Sequence, residues 1–137
     1  MDIIKDSLTD EWYFSSNAYI LSETDEKGII IYANNIFCEV AGYTLEELIG
    51  EPHNMVRHPD MPRIAFKGLW DDIKSKGFWT GIVKNRRKDG GFYWVNATVL
   101  RMIHDGGRIT YLSVRRKPDR AQVDACSVLY ADLKASQ

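Results

Sequence analysis

Over the first quarter of the chain, apolar residues fall in short blocks separated by turn formers. Ala18 to Ser22, the run Thr24-Asp25-Glu26-Lys27-Gly28 and then Ile29-Ile30-Ile31-Tyr32 read as strand, turn and strand, a β-hairpin. Ahead of it, Leu8 to Ser16 is expected to form a short N-terminal cap within residues 1–17. The period then becomes helical. Ile36, Phe37, Val40 and Ala41 share one helix face, with Asn34 as N-cap and Gly42 as the stop. Thr44-Leu45-Glu46-Glu47 has capping-box spacing and opens a second short helix, which Gly50-Glu51-Pro52 ends.

Pro52, Pro59 and Pro62 bracket His53-Asn54-Met55-Val56-Arg57-His58. Proline has no amide hydrogen to donate and restricts the residue before it, so this stretch holds at most one helical turn. Ile64, Ala65, Leu69, Trp70 and Ile73 then form the apolar stripe of a longer helix ending near Gly77. Phe78 to Arg87, Phe92 to His104 and Arg108 to Arg116 read as three antiparallel strands, separated by the turns Lys88-Asp89-Gly90-Gly91 and Asp105-Gly106-Gly107. A last helix, Asp119 to Ala135, carries Val123, Ala125, Cys126, Leu129, Tyr130 and Leu133 on a mainly apolar stripe. It serves either as a partner-docking element or as a lid on the sheet. The expected class is α+β, a five-stranded antiparallel sheet with short helices on one face, plus the N-terminal cap and the C-terminal helix. The corresponding division is 1–17, 18–117 and 118–137.

Composition narrows the functions. The 137 residues, 45% of them apolar, suit one core and leave no room for a second folded domain. Lys and Arg number 18 against 19 Asp and Glu, a net charge of −1, so no bulk field draws the chain to nucleic acid or to an anionic membrane. Apolar runs of a few residues fall far short of the roughly 20 needed to span a bilayer. Membrane association would come through a partner or through further sequence. Cys38 and Cys126 lie far apart without metal-ligand spacing, and Met1 to Asp10 is polar rather than a signal-peptide core. A cytoplasmic, reducing compartment and no metal site are expected.

Local sequences carry the reading further. Thr24 to Gly28 before Ile29-Ile30-Ile31-Tyr32-Ala33-Asn34, followed by Ala41-Gly42-Tyr43-Thr44-Leu45-Glu46-Glu47-Leu48-Ile49-Gly50, resembles the PAS superfamily. Two stretches are more specific: Pro52-His53-Asn54-Met55-Val56-Arg57-His58-Pro59-Asp60-Met61-Pro62 and Trp79-Thr80-Gly81-Ile82-Val83-Lys84-Asn85-Arg86-Arg87-Lys88-Asp89-Gly90. Both resemble the FAD-binding PAS domain of bacterial aerotaxis receptors, and the likeness runs from about Asp25 to Tyr130. It implies a PAS fold that holds FAD non-covalently between sheet and helices. The implied role is that of a sensor rather than an enzyme, reporting redox, oxygen or energy state to a chemoreceptor or its signalling region. A homodimer is a further option.

A flavin needs a slot for its ring and hydrogen-bonding groups for its pyrimidine edge; FAD also needs cations for pyrophosphate and a surface for adenine. Period two along Phe78 to Arg87 puts Trp79, Gly81, Val83 and Asn85 on one face, an aromatic plate, a gap and an amide. Asn85 offers one acceptor and two donors, the role of the matching Asn in flavin-binding PAS and LOV domains. An Asn bonded to its own strand end is the alternative. Trp79 stacks on adenine or part of the ring, or simply packs in the core. Arg57 and His58 offer charge-assisted bonds to pyrophosphate, with Asp60 orienting one of them; plain solvent exposure is the competing reading. Trp70 walls the pocket or packs in the core. Asn34 and His53 complete the expected cofactor-binding set.

Departures from the LOV photoreceptors are informative. Their reactive cysteine follows an Asn, and the matching pair here is Asn54-Met55, so a thiol adduct with the flavin is not expected. Their second flavin-contacting Asn aligns with Val95, whereas Asn96 faces the other side of the sheet. Their signalling Gln falls at or beside Arg115, by the Tyr111-Leu112-Ser113-Val114 alignment. A cation there would favour the negative charge gained on reduction.

Three rivals remain at this level. Catalysis has little support, since His53, His58 and His104 come with no nucleophile motif, metal-ligand spacing or phosphate loop. A haem-binding PAS sensor would use a single His as iron ligand, although His53 and His58 precede the long helix rather than lie on it. A cofactor-free PAS module used only for dimerisation is the third.

Overall fold

Two antiparallel hairpins, distant in sequence, join into one sheet. The computed structural model describes residues 3–137. In chain order the elements are β1 (Ile3–Lys5), β2 (Trp12–Phe14), β3 (Ile20–Thr24), β4 (Ile30–Ala33), α1 (Asn35–Ala41), α2 (Leu45–Leu48), a 3-10 turn (His53–Val56), α3 (Arg63–Lys76), β5 (Phe78–Arg86), β6 (Phe92–Ile103), a second 3-10 turn (Asp105–Gly107), β7 (Ile109–Arg116) and α4 (Arg120–Ala135). The main sheet has the order β4-β3-β7-β6-β5 and is antiparallel throughout. It is the expected PAS architecture. The central pairing sets Ile20 opposite Arg115 and Thr24 opposite Tyr111.

Strand alternation sorts side chains to two faces. On the inner face Ile20, Val83, Tyr93, Val95 and Ala97 pack with Phe37 and Val40 of α1, Leu48 of α2 and Val56. Residues one step along, Ile82 and Trp94, point outward and pack with Val123, Cys126 and Tyr130 of α4. The last helix therefore covers part of the outer face, leaving Val128 and Leu129 exposed. Its far end ties back across the strand edge: Lys134 donates to the Pro59 carbonyl, and Gln137 Oε1 accepts from the Arg63 amide that opens α3, at 3.0 Å.

Local chemistry fixes the helices. Asn34 Oδ1 accepts from Phe37 N and Leu21 N, both at 3.1 Å, while its amide donates to Tyr19 O at 2.9 Å. One side chain thus starts α1 and staples it to β3. Gly42, at φ 76°, closes the helix in the left-handed conformation that glycine adopts without penalty. Thr44 and Glu47 form the reciprocal capping box.

The N-terminal cap is itself a two-stranded hairpin, β1 with β2. Strands of three residues are too short to display a period, which is why the sequence shows none there. Phe92 N donates to Asp10 O at 3.0 Å, Arg87 lies 3.7 Å over the Trp12 ring, and the buried Glu11 carboxylate accepts from Arg120 at 3.0 and 3.1 Å.

Candidate functional site

Between the inner sheet face and α3 lies a cavity of about 280 Å³. Its floor is Trp79, Val83 and Asn85 of β5, Val95, Ala97 and Val99 of β6, and Tyr111, Ser113 and Arg115 of β7. Its roof is His53, Asn54, Val56 and Arg57 together with Phe66, Leu69 and Trp70 of α3, and Thr24, Lys27 and Gly28 close one end. Backbone bonds hold the roof to the β3–β4 turn, with His53 N donating to Gly28 O at 2.9 Å.

The floor is largely apolar and aromatic. Trp70 meets Tyr111 edge to face at 5.3 Å. The Trp79 indole folds back over its own strand, so that a Cβ on Gly81 would lie 2.3 Å from its Cζ2 atom. The gap that Gly81 creates in the strand is taken up by Trp79 itself.

Polar groups converge at the other end of the floor. Asn85 is buried and sits opposite Tyr93, whose fully buried hydroxyl has no hydrogen bond of standard geometry. Burial pushes the Tyr93 pKa up to about 12. Arg115, 2% exposed, donates from one terminal nitrogen to His53 Nε2 at 2.9 Å and from the other to Ser22 Oγ at 2.7 Å; its Nε has no partner. Ser22 Oγ lies 3.0 Å from the same His53 nitrogen. A guanidinium can only donate, so His53 Nε2 accepts and the imidazole proton is on Nδ1. Phe37 stacks on the imidazole and lies 4.3 Å from the guanidinium. No carboxylate pairs with Arg115 among the described residues. Burial alone brings its pKa down to about 10. Arg57, half-buried at the roof, lies 3.5 Å over the Phe66 ring, and its Nε is also unpaired.

His53, Arg57, Trp70, Trp79, Asn85 and Arg115 are thus brought together around one cavity, and Asn34, His58 and Asp60 are not. The Asn34 side chain is spent as the cap of α1 and the tie to β3. His58 and Asp60 lie past the edge of β5. Asp60 pairs there with Lys84, a residue of the opposite strand face, at 2.8 Å, and its amide donates to His58 Nδ1. Asp60 therefore has His58 as its neighbour rather than Arg57, and Asp60 borders the cleft under α4. Val95 lines the cavity and Asn96 does not. His104 stands on the outer sheet face, bonded to Thr110. Among the described residues no group of three or more metal-ligating side chains forms, and no helix is long and apolar enough to cross a membrane. Ser22 and Lys27 were not singled out by the sequence. Alternation along β3 puts Ser22 between Ile20 and Thr24 on the inner face, the one signal that marks it.

His53 gives the site a pH signature. Burial first, then the charges of Arg115 and Arg57, lower its pKa from 6.5 to about 3, and its residual exposure faces the cavity. An unfolded chain takes up a proton on this His below about pH 6.5 that the folded chain refuses, so stability present above that pH is lost as pH falls toward 3. Between pH 7 and pH 5 urea denaturation of the ligand-free protein should show a loss of roughly 1 to 2 kcal/mol from this group. His53→Gln should flatten that part of the profile.

Comparison with known proteins agrees with the architecture. Residues 30–115 match the family model described as PAS fold. The chain is 46% identical over 118 residues to the aerotaxis receptor of Escherichia coli (strain K12), covering 86% of this chain and 23% of the receptor. It is 31% identical over 97 residues to the nitrogen fixation regulatory protein of Klebsiella oxytoca, covering 70% of this chain and 20% of that protein. The chain therefore spans less than a quarter of the length of these relatives. Among solved structures, the PAS domain of a protein from Colwellia psychrerythraea superposes with TM-score 0.67 at 25% identity, over 73% of this chain and 86% of that one. The dark structure of the blue-light photoreceptor Aureochrome1 LOV gives 0.68 at 21% identity, over 81% and 86%. With the matched segment running from β4 to β7 and the sheet order fixed by the β3–β7 pairing, the chain belongs to the PAS-fold family.

Proposed function

We propose that this chain is a sensor module that holds FAD non-covalently in the cavity and reports its oxidation state to a signalling partner, a chemoreceptor or its signalling region. One observation carries the reading: a buried guanidinium without a carboxylate, at the polar end of an aromatic slot. Such a cation is costly unless the pocket's ligand bears or acquires negative charge. The 46% identity to an aerotaxis receptor supports a redox ligand. When bound, the flavin supplies reversible electron transfer.

The residues present suit that group. A volume of about 280 Å³ is at the lower edge of ligand cavities, room for a flat ring system but not for a whole dinucleotide, so the adenosine part would lie toward the rim. Asn85 presents an amide to the pyrimidine edge. Arg57 offers an unpaired N–H to pyrophosphate, with Lys27 as a second cation. Met55 packs against the core and has no thiol with which to attack a flavin. The haem reading loses ground at His53, whose Nε2 lone pair is taken up by Arg115.

Signalling follows from unsatisfied groups. A change of ligand charge alters what Asn85 and Arg115 must pair with, and each buried group left unpaired costs roughly 1 to 3 kcal/mol. Differences of that size shift a two-state equilibrium tenfold or more. The strands bearing Asn85 and Arg115 pass the shift to the outer sheet face, to α4 and to the N-terminal hairpin, where a partner reads it.

The test is the visible spectrum of the purified protein, followed by identification of the cofactor released on heating. Flavin absorption near about 450 nm with FAD in the supernatant is the expected result. A Soret band, or a folded protein that stays colourless after incubation with FAD, would overturn the proposal.

A further inference from the structure

We infer that Ser22 is a positioning residue which, with His53, holds the Arg115 guanidinium without neutralising it, and thereby sets the charge that the cavity presents to its ligand. The inference deepens the FAD reading and rests on it. Ser22 is fully buried in β3, two residues along the same face from Ile20, which pairs with Arg115. Its hydroxyl accepts one terminal N–H of the guanidinium at 2.7 Å and lies 3.0 Å from His53 Nε2, the nitrogen whose lone pair accepts the other terminal N–H at 2.9 Å. The three side chains close a ring through Ser22 Oγ, His53 Nε2 and the two terminal nitrogens of Arg115. Both acceptors are neutral.

That choice of acceptors has a chemical consequence. A buried arginine is ordinarily held by a carboxylate, which matches its fork and cancels its charge. Here the fork is fixed on two sides by groups that bring no charge, so the full positive charge remains for the ligand. The neighbouring titratable groups do not cancel it: Arg57 and Lys27 are cations, Tyr93 stays protonated, and His53 stays neutral. Serine also suits the available space. A hydroxyl on one carbon reaches the guanidinium from a fully buried strand position, alanine would leave an N–H unpaired there, and aspartate would install the missing counter-charge.

The test compares Ser22→Asp with the neutral Ser22→Asn in the FAD-loaded protein, by redox titration. The expected result is that Ser22→Asp lowers the affinity for reduced relative to oxidised flavin at least tenfold, about 59 mV in one-electron potential, while Ser22→Asn changes it less than threefold. Equal potentials in all three proteins, or equal losses in both variants, would overturn the inference, the second because it marks a purely structural role. A second measurement needs neither flavin nor a variant. Imidazole ¹⁵N NMR of the ligand-free wild type at pH 7 should show His53 neutral with its proton on Nδ1; a proton on Nε2 breaks the ring and overturns the inference even if Ser22→Asp does not fold. If the wild type binds no flavin while the NMR shows the expected tautomer, the FAD reading fails and the neutral clamp stands.

Discussion

Arg115→Ala should lower the midpoint potential of the bound flavin by on the order of 100 mV and shift its reduced form toward the uncharged, protonated species. A unit charge at about 4 Å is worth about 4 kcal/mol at an effective dielectric of 20. At about 2.3 kcal/mol per 100 mV for one charge, the full term would exceed 100 mV, and water entering the space left by the side chain reduces it. Arg115→Lys keeps the charge but loses the fork that engages Ser22 and His53 at once, so its shift should be smaller. Redox titration with recorded spectra decides the matter. If Arg115→Ala leaves both the potential and the reduced spectrum unchanged, the guanidinium has no part in stabilising the reduced ligand.

Gly81→Val should weaken FAD binding by at least tenfold while the protein remains folded. The glycine has no functional group, and its effect comes through Trp79. A Cβ at position 81 would meet the indole at 2.3 and 2.5 Å, so the ring must leave, and Trp79 borders the cavity. Overpacking of this kind costs about 1 to 3 kcal/mol in a closed core. In an open slot the ring can instead swing into the space a ligand would occupy. Fluorescence titration with FAD measures the loss, and circular dichroism controls for the fold. Adding Trp79→Ala to Gly81→Val should recover part of the affinity, since the obstruction is the indole. An unchanged affinity in the single variant would mean that the ring does not border the binding slot.

The fold was legible because turn chemistry and period agree along most of the chain. Glycine and aspartate punctuate each hairpin, proline bounds the 53–62 segment, and α1 and α2 carry their own caps. The floor of the cavity was legible for the same reason: period two along β5 is enough to group Trp79, Val83 and Asn85. Arg115 came from family likeness alone, since nothing in a strand pattern distinguishes a buried arginine from a surface one. His58 and Asp60 show where pattern gives out. A proline-bounded segment has no period, so nothing in it tells that the chain crosses the edge of β5 after Arg57, carrying both residues past the strand and Asp60 to the cleft under α4. Asn34 was read both as a cap and as a ligand contact, and the cap uses up its amide. Ser22 stayed hidden because a single hydroxyl within a strand carries no motif.

The strand order has a consequence for how the protein is made. β3 and β4 leave the ribosome early, yet β3 has no second neighbour until β7, the last strand of the main sheet in chain order, has been synthesised. Until then the inner face of the first hairpin, with Ile20 and Ile30, stays uncovered on the β7 side, and an unpaired strand edge invites association with other chains. Closing so long a loop is also slow, because its entropy must be spent before the β3–β7 bonds form. Shortening the chain before Arg116 should therefore yield aggregates rather than a smaller folded core, whereas ending it between β7 and α4 leaves the sheet complete.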